Sequence, residues 1–398
     1  MNQNRAMATR TVRAGLERDS QHGAVIPPIH LSSNYTFAGF NQPRTYDYTR
    51  SGNPTRSLLA EALAELEGGA GAVVTSTGMS AVILALHQLK PDQLLLAPHD
   101  CYGGTYRAMD ALSRKGHFQV AFVDQTDPEA LSLALERNPA MVWIETPSNP
   151  LLRITDVVDV SRRARARGAL VVVDNTFLSP VLQQPLELGA DLVVHSTTKY
   201  LNGHSDVVGG AVVAADPNLH EDLAWWANCL GITGAPFDSY LTLRGLRTLH
   251  ARMRQHLENA AKIVDMLTKH EAVAKVYHPS LPDHPGHLLA ATQQMGFGAM
   301  ISFELHGGCD EVKTLLEGLD HFSLAESLGG VESLVAHPAT MTHAAMAADA
   351  RREAGIRDTL IRLSVGIEDG DDLTRDLSAG LDRALAADHH KSEPAGVS

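Results

Sequence analysis

The chain has 398 residues, 33 Lys and Arg against 46 Asp and Glu for a net charge of −13, and 44% hydrophobic residues, with a mean hydropathy of −0.10. That excludes a disordered chain and a nucleic-acid binder relying on clustered basic residues. The length points to two or three domains. No apolar run reaches the roughly 18 residues of a membrane-spanning helix, and the opening MNQNRAMATRTVRAG lacks the apolar core of a signal peptide. Cys101, Cys229 and Cys309 form neither a disulfide framework nor a CxxC pair, which fits a reducing cytoplasm. Histidine is frequent, at 20, but no HExxH or His/Cys cluster has ligand spacing, so no metal site is expected. The basic run 162–167 reads as the solvated face of a helix.

In chain order, residues 1–60 carry Pro27-Pro28, Gly39, Pro43, Gly52 and Pro54 and little periodicity, which predicts an extended arm lying on another domain or another subunit. A helix is predicted over 57–67, stopped by Gly68-Gly69, then a strand at 72–75 and a helix over 79–89. Short apolar runs at 94–97, 120–123, 141–145, 169–173 and 192–195 read as strands with helices between most of them, hence a mostly parallel sheet covered on both faces. A long helical stretch, 239–270, leads to a second domain with strands at 299–305 and 360–366, and the polar tail 388–398 reads as disordered. The division expected is an arm (1–60), a cofactor domain (61–257) and a smaller C-terminal domain (258–398).

Three segments carry chemistry. In the first, the apolar run ending at His195 leads straight into Ser196-Thr197-Thr198-Lys199. A lysine at the end of a buried strand is costly unless it is paired, neutral or used covalently, and Schiff-base chemistry uses such a lysine. The chain's other lysines sit in turns, on exposed helix positions, in the tail or without polar neighbours. In the second, Val171-Val172-Val173 ends in Asp174, followed by Asn175 and Thr176. Strand C-termini line the ligand crevice of a parallel sheet, and a carboxylate there could keep a pyridinium nitrogen protonated; capping the next turn is the other reading. In the third, Thr75-Ser76-Thr77-Gly78-Met79 joins a strand to a helix whose free N–H groups could bind phosphate, although the same residues make ordinary helix caps. Tyr102 could stack on a planar ring, with Arg107 five residues on. Tyr48 and Arg50 stand in the turn-rich arm, and Arg362 lies inside an apolar strand, where an anion would compensate it. For each arginine alone a structural ion pair remains the simpler account.

Residues 191–205 match, position by position, the lysine signature of the Cys/Met-metabolism family of pyridoxal-phosphate enzymes. DYTRSGNPTR, TSTGMSAV, APHDCYGGTYR, ETPSNPLLR, VVDNTFLSP, ESLGGVESL and LIRLSVGIED also resemble it, over nearly the whole chain. The resemblance implies an α/β fold of the aspartate-aminotransferase type (PLP-dependent transferase type I), with pyridoxal 5′-phosphate bound to Lys199 as an internal aldimine. Asp174 would pair with the ring nitrogen, Thr176 would lie against the ring, and Tyr102 would stack on it. Ser196, Thr198 and the amides of Gly78 and Met79 would bind the phosphate, completed by Tyr48 and Arg50 from a neighbouring subunit of a homotetramer. Arg362, with Asn149 and the Ser327 backbone, would hold the substrate α-carboxylate, and Arg107 would meet a distal carboxylate. Asp47 and Glu326 would line the specificity pocket. Thr49 replaces a serine common in the family. APHDCYGGTYR, LAWWAN and GLRTL look most like the branch that performs γ-replacement, the cystathionine γ-synthases; a lyase of the same family is the rival. A regulator keeping the fold would need an added basic DNA-binding domain, and a nicotinamide enzyme would need a glycine fingerprint the chain lacks. The partners expected are small amino acids, with neither nucleic acid nor membrane.

Overall fold

Eight strands of the computed structural model are fully buried along their length, which is why most of them read as apolar runs rather than as alternating ones. Residues 5–342, 351 and 354–392 are described. The chain folds as two compact units, each discontinuous in sequence. One comprises Met1–His99, Gly104–Thr146 and Thr155–Ala251; the other comprises Asp100–Gly103, Pro147–Ile154 and Arg252–Ser398.

The first unit is built on a seven-stranded sheet, with β1 (Gly71–Thr75), β2 (Leu94–Pro98), β3 (Gln119–Val123), β4 (Met141–Glu145), β5 (Leu170–Asp174), β6 (Leu192–His195) and β7 (Gly210–Ala214) in the order β1-β7-β6-β5-β4-β2-β3. All neighbours from β6 to β3 are parallel; β7 runs antiparallel to both β1 and β6. Pleating sorts successive residues to opposite faces. Leu95, Met141, Trp143, Val172 and Val194 meet one core cluster, and Leu96, Val142, Ile144, Val171 and Val173 meet the other. The first cluster takes in helix α3 (Gly78–Leu86) and helix α8 (Pro217–Leu230); the second takes in α5 (Pro128–Leu135) and α6 (Val157–Arg165).

The N-terminal segment departs from the expected extended arm at both ends. Helix α1 (Met7–Arg13) packs on α2 (Pro54–Glu67), with Arg10 beside Glu65 at 3.7 Å. Asn53 caps α2 by accepting from the amides of Thr55 and Arg56, and Pro54 fills the first helical position, where no amide is needed. The single long helix expected after the sheet is two, α9 (Pro236–Leu246) and α10 (Leu249–Leu267).

In the second unit a five-stranded sheet has the order β10-β11-β12-β9-β8, with β8 (Val273–Tyr277), β9 (Met300–Leu305), β10 (Ser323–Leu324), β11 (Leu334–Ala336) and β12 (Leu360–Ser364). Ile301, Phe303, Val335, Ile361 and Leu363 pack against Ile263 and Leu267 of α10 and against Leu373, Leu377 and Leu381 of the C-terminal helix. That helix spans Gly370–Ser392, so the tail expected to be disordered from residue 388 is helical as far as Ser392; residues 393–398 lie outside the described residues. No helix among the described residues is long and apolar enough to cross a membrane.

Candidate active site

In the first unit the parallel strands β4, β5 and β6 end together, with Glu145 opposite Asp174 and Asp174 opposite Val194. Each then turns into a polar loop. The loops after β5 and β6 are stitched to one another, because the Ser196 amide donates to Thr176 Oγ1 at 2.9 Å. The Thr176 amide in turn donates to Asp174 Oδ1 at 3.0 Å. Surrounding protein desolvates the Asp174 carboxyl and pushes its pKa up, against the opposing effects of the Thr176 hydroxyl and amide and of His195. No ion pair reaches Asp174 among the described residues. Lys199 lies half-buried in the turn after β6, whose shape is held by the Gly203 amide donating to the Lys199 carbonyl at 2.8 Å.

The loop from β1 into α3 comes up against the same turn. A Cβ on Gly78 would stand 2.8 Å from both Cβ and Oγ of Ser196 and 3.1 Å from its Cα, so only glycine allows this approach. Thr77 caps α3 by accepting from the Ser80 amide at 2.9 Å. The amides of Gly78 and Met79 have no acceptor among the described residues, as expected at a helix start. Thr198 differs from the expectation in one respect: its hydroxyl donates to the Gly209 carbonyl at 3.2 Å and accepts from the Gly209 amide at 3.0 Å, bracing the loop. The structure thus brings together Asp174, Thr176, Ser196, Gly78 and Met79, with Thr198 and Lys199 on the adjoining turn.

The arm residues Asp47, Tyr48 and Arg50 are exposed, and no hydrogen bond or ring contact among the described residues joins them to that cluster. Asp47 Oδ1 accepts from the Ser51 hydroxyl (2.8 Å) and the Tyr48 amide (2.6 Å), which holds its pKa below the usual carboxylate range. Arg50 donates to the Asn228 carbonyl at 3.3 Å and has its guanidinium 5.7 Å from the Tyr48 ring centroid. What shapes this loop is Arg56, which sequence reasoning passed over. Its buried guanidinium donates to the carbonyls of Thr49, Arg50 and Gly234. The Asn-Pro helix-start signal just ahead of it was the available clue. Arg107 stands exposed on the first turns of α4 (Gly103–Arg114) and forms no ion pair among the described residues.

In the second unit Arg362 is buried on β12. It donates to Asn149 Oδ1 at 3.1 Å and to the Ser327 carbonyl at 2.8 Å. Ser327 has φ of +87°, a left-handed conformation that non-glycine residues seldom adopt and that recurs at functional sites. Glu326 beside it is exposed. Asn149 owes its position to residues not anticipated: the buried Asp100 accepts from the Ser148 hydroxyl (2.7 Å) and from Arg153 (2.8 Å), and Arg153 also donates to the Ala354 carbonyl (3.1 Å). The same network ties down the loop carrying Tyr102, a residue 41% exposed. These partners lie about 50 or 200 residues apart, beyond any local sequence signal.

Residues 8–382 match the family described as Cys/Met metabolism PLP-dependent enzyme. The chain belongs to this family. It is 60% identical over 378 residues to the cystathionine gamma-synthase of Escherichia coli K12, covering 95% of this chain and 98% of that protein. It is 44% identical to a cystathionine beta-lyase of Lactococcus lactis, covering 95% and 99%. Crystal structures of the cystathionine gamma-synthase of Xanthomonas oryzae pv. oryzae, in complex with aminoacrylate and cysteine and in complex with cystathionine, superpose with a TM-score of 0.95 at 63% identity, covering 96% of this chain and 99% of that one. The fold expected from the resemblance, the PLP-dependent transferase type with a mostly parallel sheet and a smaller second sheet domain, is the one observed.

A Cys/Met metabolism PLP-dependent enzyme takes pyridoxal phosphate as its cofactor, and the residues present fit it. Two orphan amides at a helix start, packed so closely that a Cβ would not fit, make an anion cradle. A desolvated carboxyl that no ion pair reaches among the described residues suits a pyridinium nitrogen. Among the described residues no group of three or more His, Cys, Asp or Glu could hold a metal ion.

Proposed function

We propose that this enzyme catalyses γ-replacement, joining O-succinyl-L-homoserine and L-cysteine into L-cystathionine with release of succinate. This is the cystathionine γ-synthase reaction of methionine biosynthesis. The observation that carries the reading is the identity of 60% or more to two bacterial cystathionine γ-synthases over almost the full length of each. When bound, pyridoxal phosphate supplies an electron sink for charge developed at the substrate's Cα and Cβ. The Asp174 carboxylate holds a proton on the ring nitrogen, and Thr176 lies against the ring with Tyr102 stacked on it. The amides of Gly78 and Met79, with Ser196 and Thr198, receive the phosphate; Tyr48 and Arg50 complete that site from a neighbouring subunit.

Lys199 anchors the cofactor. Freed by the substrate amine, it would carry the proton from Cα to C4′ of the cofactor and, neutral again, take one from Cβ. Arg362, oriented by Asn149 and the Ser327 carbonyl, binds the α-carboxylate. Arg107 meets the distal carboxylate of the succinyl group, and Asp47 and Glu326 shape the pocket for the amino-acid part. The Cγ–O bond breaks with its electron pair leaving on succinate, the cysteine thiolate forms the S–Cγ bond, and Lys199 returns the protons to Cβ and Cα.

The lyase reading is favoured by one observation: a β-lyase 44% identical over the same span. Product analysis with O-succinyl-L-homoserine, with and without cysteine, separates the two. Cystathionine formed only with cysteine supports the synthase; 2-oxobutyrate and ammonia as the main products in both cases refute it.

We further propose that the enzyme is cytoplasmic and a homotetramer, a dimer of dimers with shared sites. Supporting the assembly are apolar side chains left open on the first unit, Phe40 at 101%, Leu31 at 68% and Trp225 at 58% exposed. Sedimentation at about four times 42.8 kDa is expected.

A further inference from the structure

In the second unit, the sheet face turned away from the core carries a row of buried polar side chains. Along β12, Ile361 and Leu363 enter the core cluster, so Arg362 and Ser364 point the other way; along β9, Ile301 and Phe303 enter it, and Ser302 lies on the side of Arg362, its register partner. Ser302, Arg362 and Ser364 are all buried. Polar groups so placed cost stability unless they are hydrogen-bonded, and each of these is bonded to a loop of the candidate site. The Ser302 hydroxyl donates to the carbonyl of Pro150, the residue after Asn149, at 2.6 Å. Ser364 Oγ accepts from the Gly329 amide, two residues after Ser327, at 2.8 Å. Asn149 and the Ser327 carbonyl are the two groups to which the Arg362 guanidinium donates.

We infer that Ser302 and Ser364 are positioning residues for the substrate α-carboxylate: Ser302 sets the segment that presents Asn149, Ser364 sets the turn that presents the Ser327 carbonyl, and together they aim the Arg362 guanidinium. The inference rests on the reading of Arg362 as the group that binds that carboxylate. A guanidinium grips a carboxylate through a planar fork, so its orientation decides how well it binds. The Ser327 side needs the firmer hold. Its left-handed backbone, with φ of +87°, persists only where the surrounding structure over-determines it. Ser364 supplies one such hold through Gly329. Further along, Ser333 donates from its amide and its hydroxyl to Glu368 at 2.7 and 2.9 Å. The stretch from Ser327 to Ser333 is thereby fastened near both ends, and Ser364 is the fastening beside Ser327.

The test uses the holoenzyme and two ligands without a leaving group. L-2-Aminononanedioate is the carbon isostere of O-succinyl-L-homoserine, and 8-aminooctanoate differs from it only in lacking the α-carboxylate. Dissociation constants are read from the change in cofactor absorbance. In Ser364→Ala and in Ser302→Ala the constant for the first ligand is expected to rise about fivefold, the worth of one ordinary hydrogen bond, while that for the second stays within about twofold. In Arg362→Ala the two ligands should bind alike, and adding either serine substitution should weaken the first ligand no further, since both act through the guanidinium. Equal losses for both ligands, or an unchanged constant for the first in a folded variant, overturn the proposal and leave the serines as packing. Where an alanine variant does not fold, the cysteine variant, a weaker donor and acceptor, is titrated in its place; failure of both to fold also overturns it. If Arg362→Ala keeps the wild-type preference for the first ligand, the reading of Arg362 fails, and the positioning role with it.

Discussion

Replacing Gly78 with alanine tests the phosphate cradle at its tightest point. The new Cβ would lie 2.8 Å from Ser196 Cβ and Oγ and 3.1 Å from its Cα. Carbon atoms pack best at about 3.5–4.0 Å, so a gap of roughly half an ångström or more must open. Ser196 cannot rotate out of the way, because its Cα is one of the atoms met and its amide is held by Thr176 Oγ1 at 2.9 Å. If both loops stay in place, overpacking costs about 1–3 kcal/mol. If the start of α3 retreats instead, the Gly78 and Met79 amides leave the phosphate, and each hydrogen bond to a charged group is worth about 1.5–3 kcal/mol. Because Ser196 is held, the second route is the one expected, and weakening equivalent to about one such hydrogen bond puts the loss near 2 kcal/mol, or about 30-fold in affinity. Apoenzyme would be titrated with pyridoxal phosphate and, separately, with pyridoxal. The expected result is a weakening of about 30-fold for the phosphate ester and little change for pyridoxal. Equal loss for both, or unchanged affinity in a folded variant, would refute the assignment of this helix start to the phosphate.

Lys199→Ala is expected to abolish both the absorbance of covalently held cofactor and turnover; normal turnover would remove Lys199 from its role. Arg107→Ala should raise KM for O-succinyl-L-homoserine by about 10- to 100-fold, the worth of a charge-assisted hydrogen bond, while a substrate lacking the distal carboxylate is nearly unaffected; parallel steady-state kinetics check this. Burial pushes His256 and His278 down from 6.5 to about 4. Their folded values lie below the unfolded one, so stability is complete above pH 6.5 and declines as the pH falls toward 4, by roughly 1–2 kcal/mol per histidine at pH 5. Urea midpoints between pH 7.5 and 5 should fall accordingly, and His256→Gln should flatten the decline; an equally steep decline in the variant would contradict it.

Some of this site was legible in the chain and some was not, for reasons tied to particular residues. Asp174 and Lys199 could be singled out because a fully buried parallel strand leaves an apolar run, and the first polar residue after it marks the crevice end. Gly78 was legible only as one residue of a common helix-cap pattern; its contact with Ser196, 118 positions on, is what gives it meaning. Thr198 stood out as a hydroxyl beside the lysine, yet its hydrogen bonds go to Gly209. Arg56 was hidden because its acceptors are main-chain carbonyls, one of them 178 residues away, and any residue type can supply a carbonyl.

By itself, then, the sequence determined the alternation of helices and parallel strands from α2 to β6, the two-sided burial of that part of the main sheet and the lysine and acid at its carboxyl edge, because these depend on patterns within a few residues. Only the tertiary structure decided that β7 runs antiparallel between β1 and β6, that Asp100 and Arg153 hold the segment bearing Asn149, and that Glu67 meets His195 from 128 residues away. Those pairings arise when distant segments pack, and a buried charge shows its purpose only beside the group that compensates it.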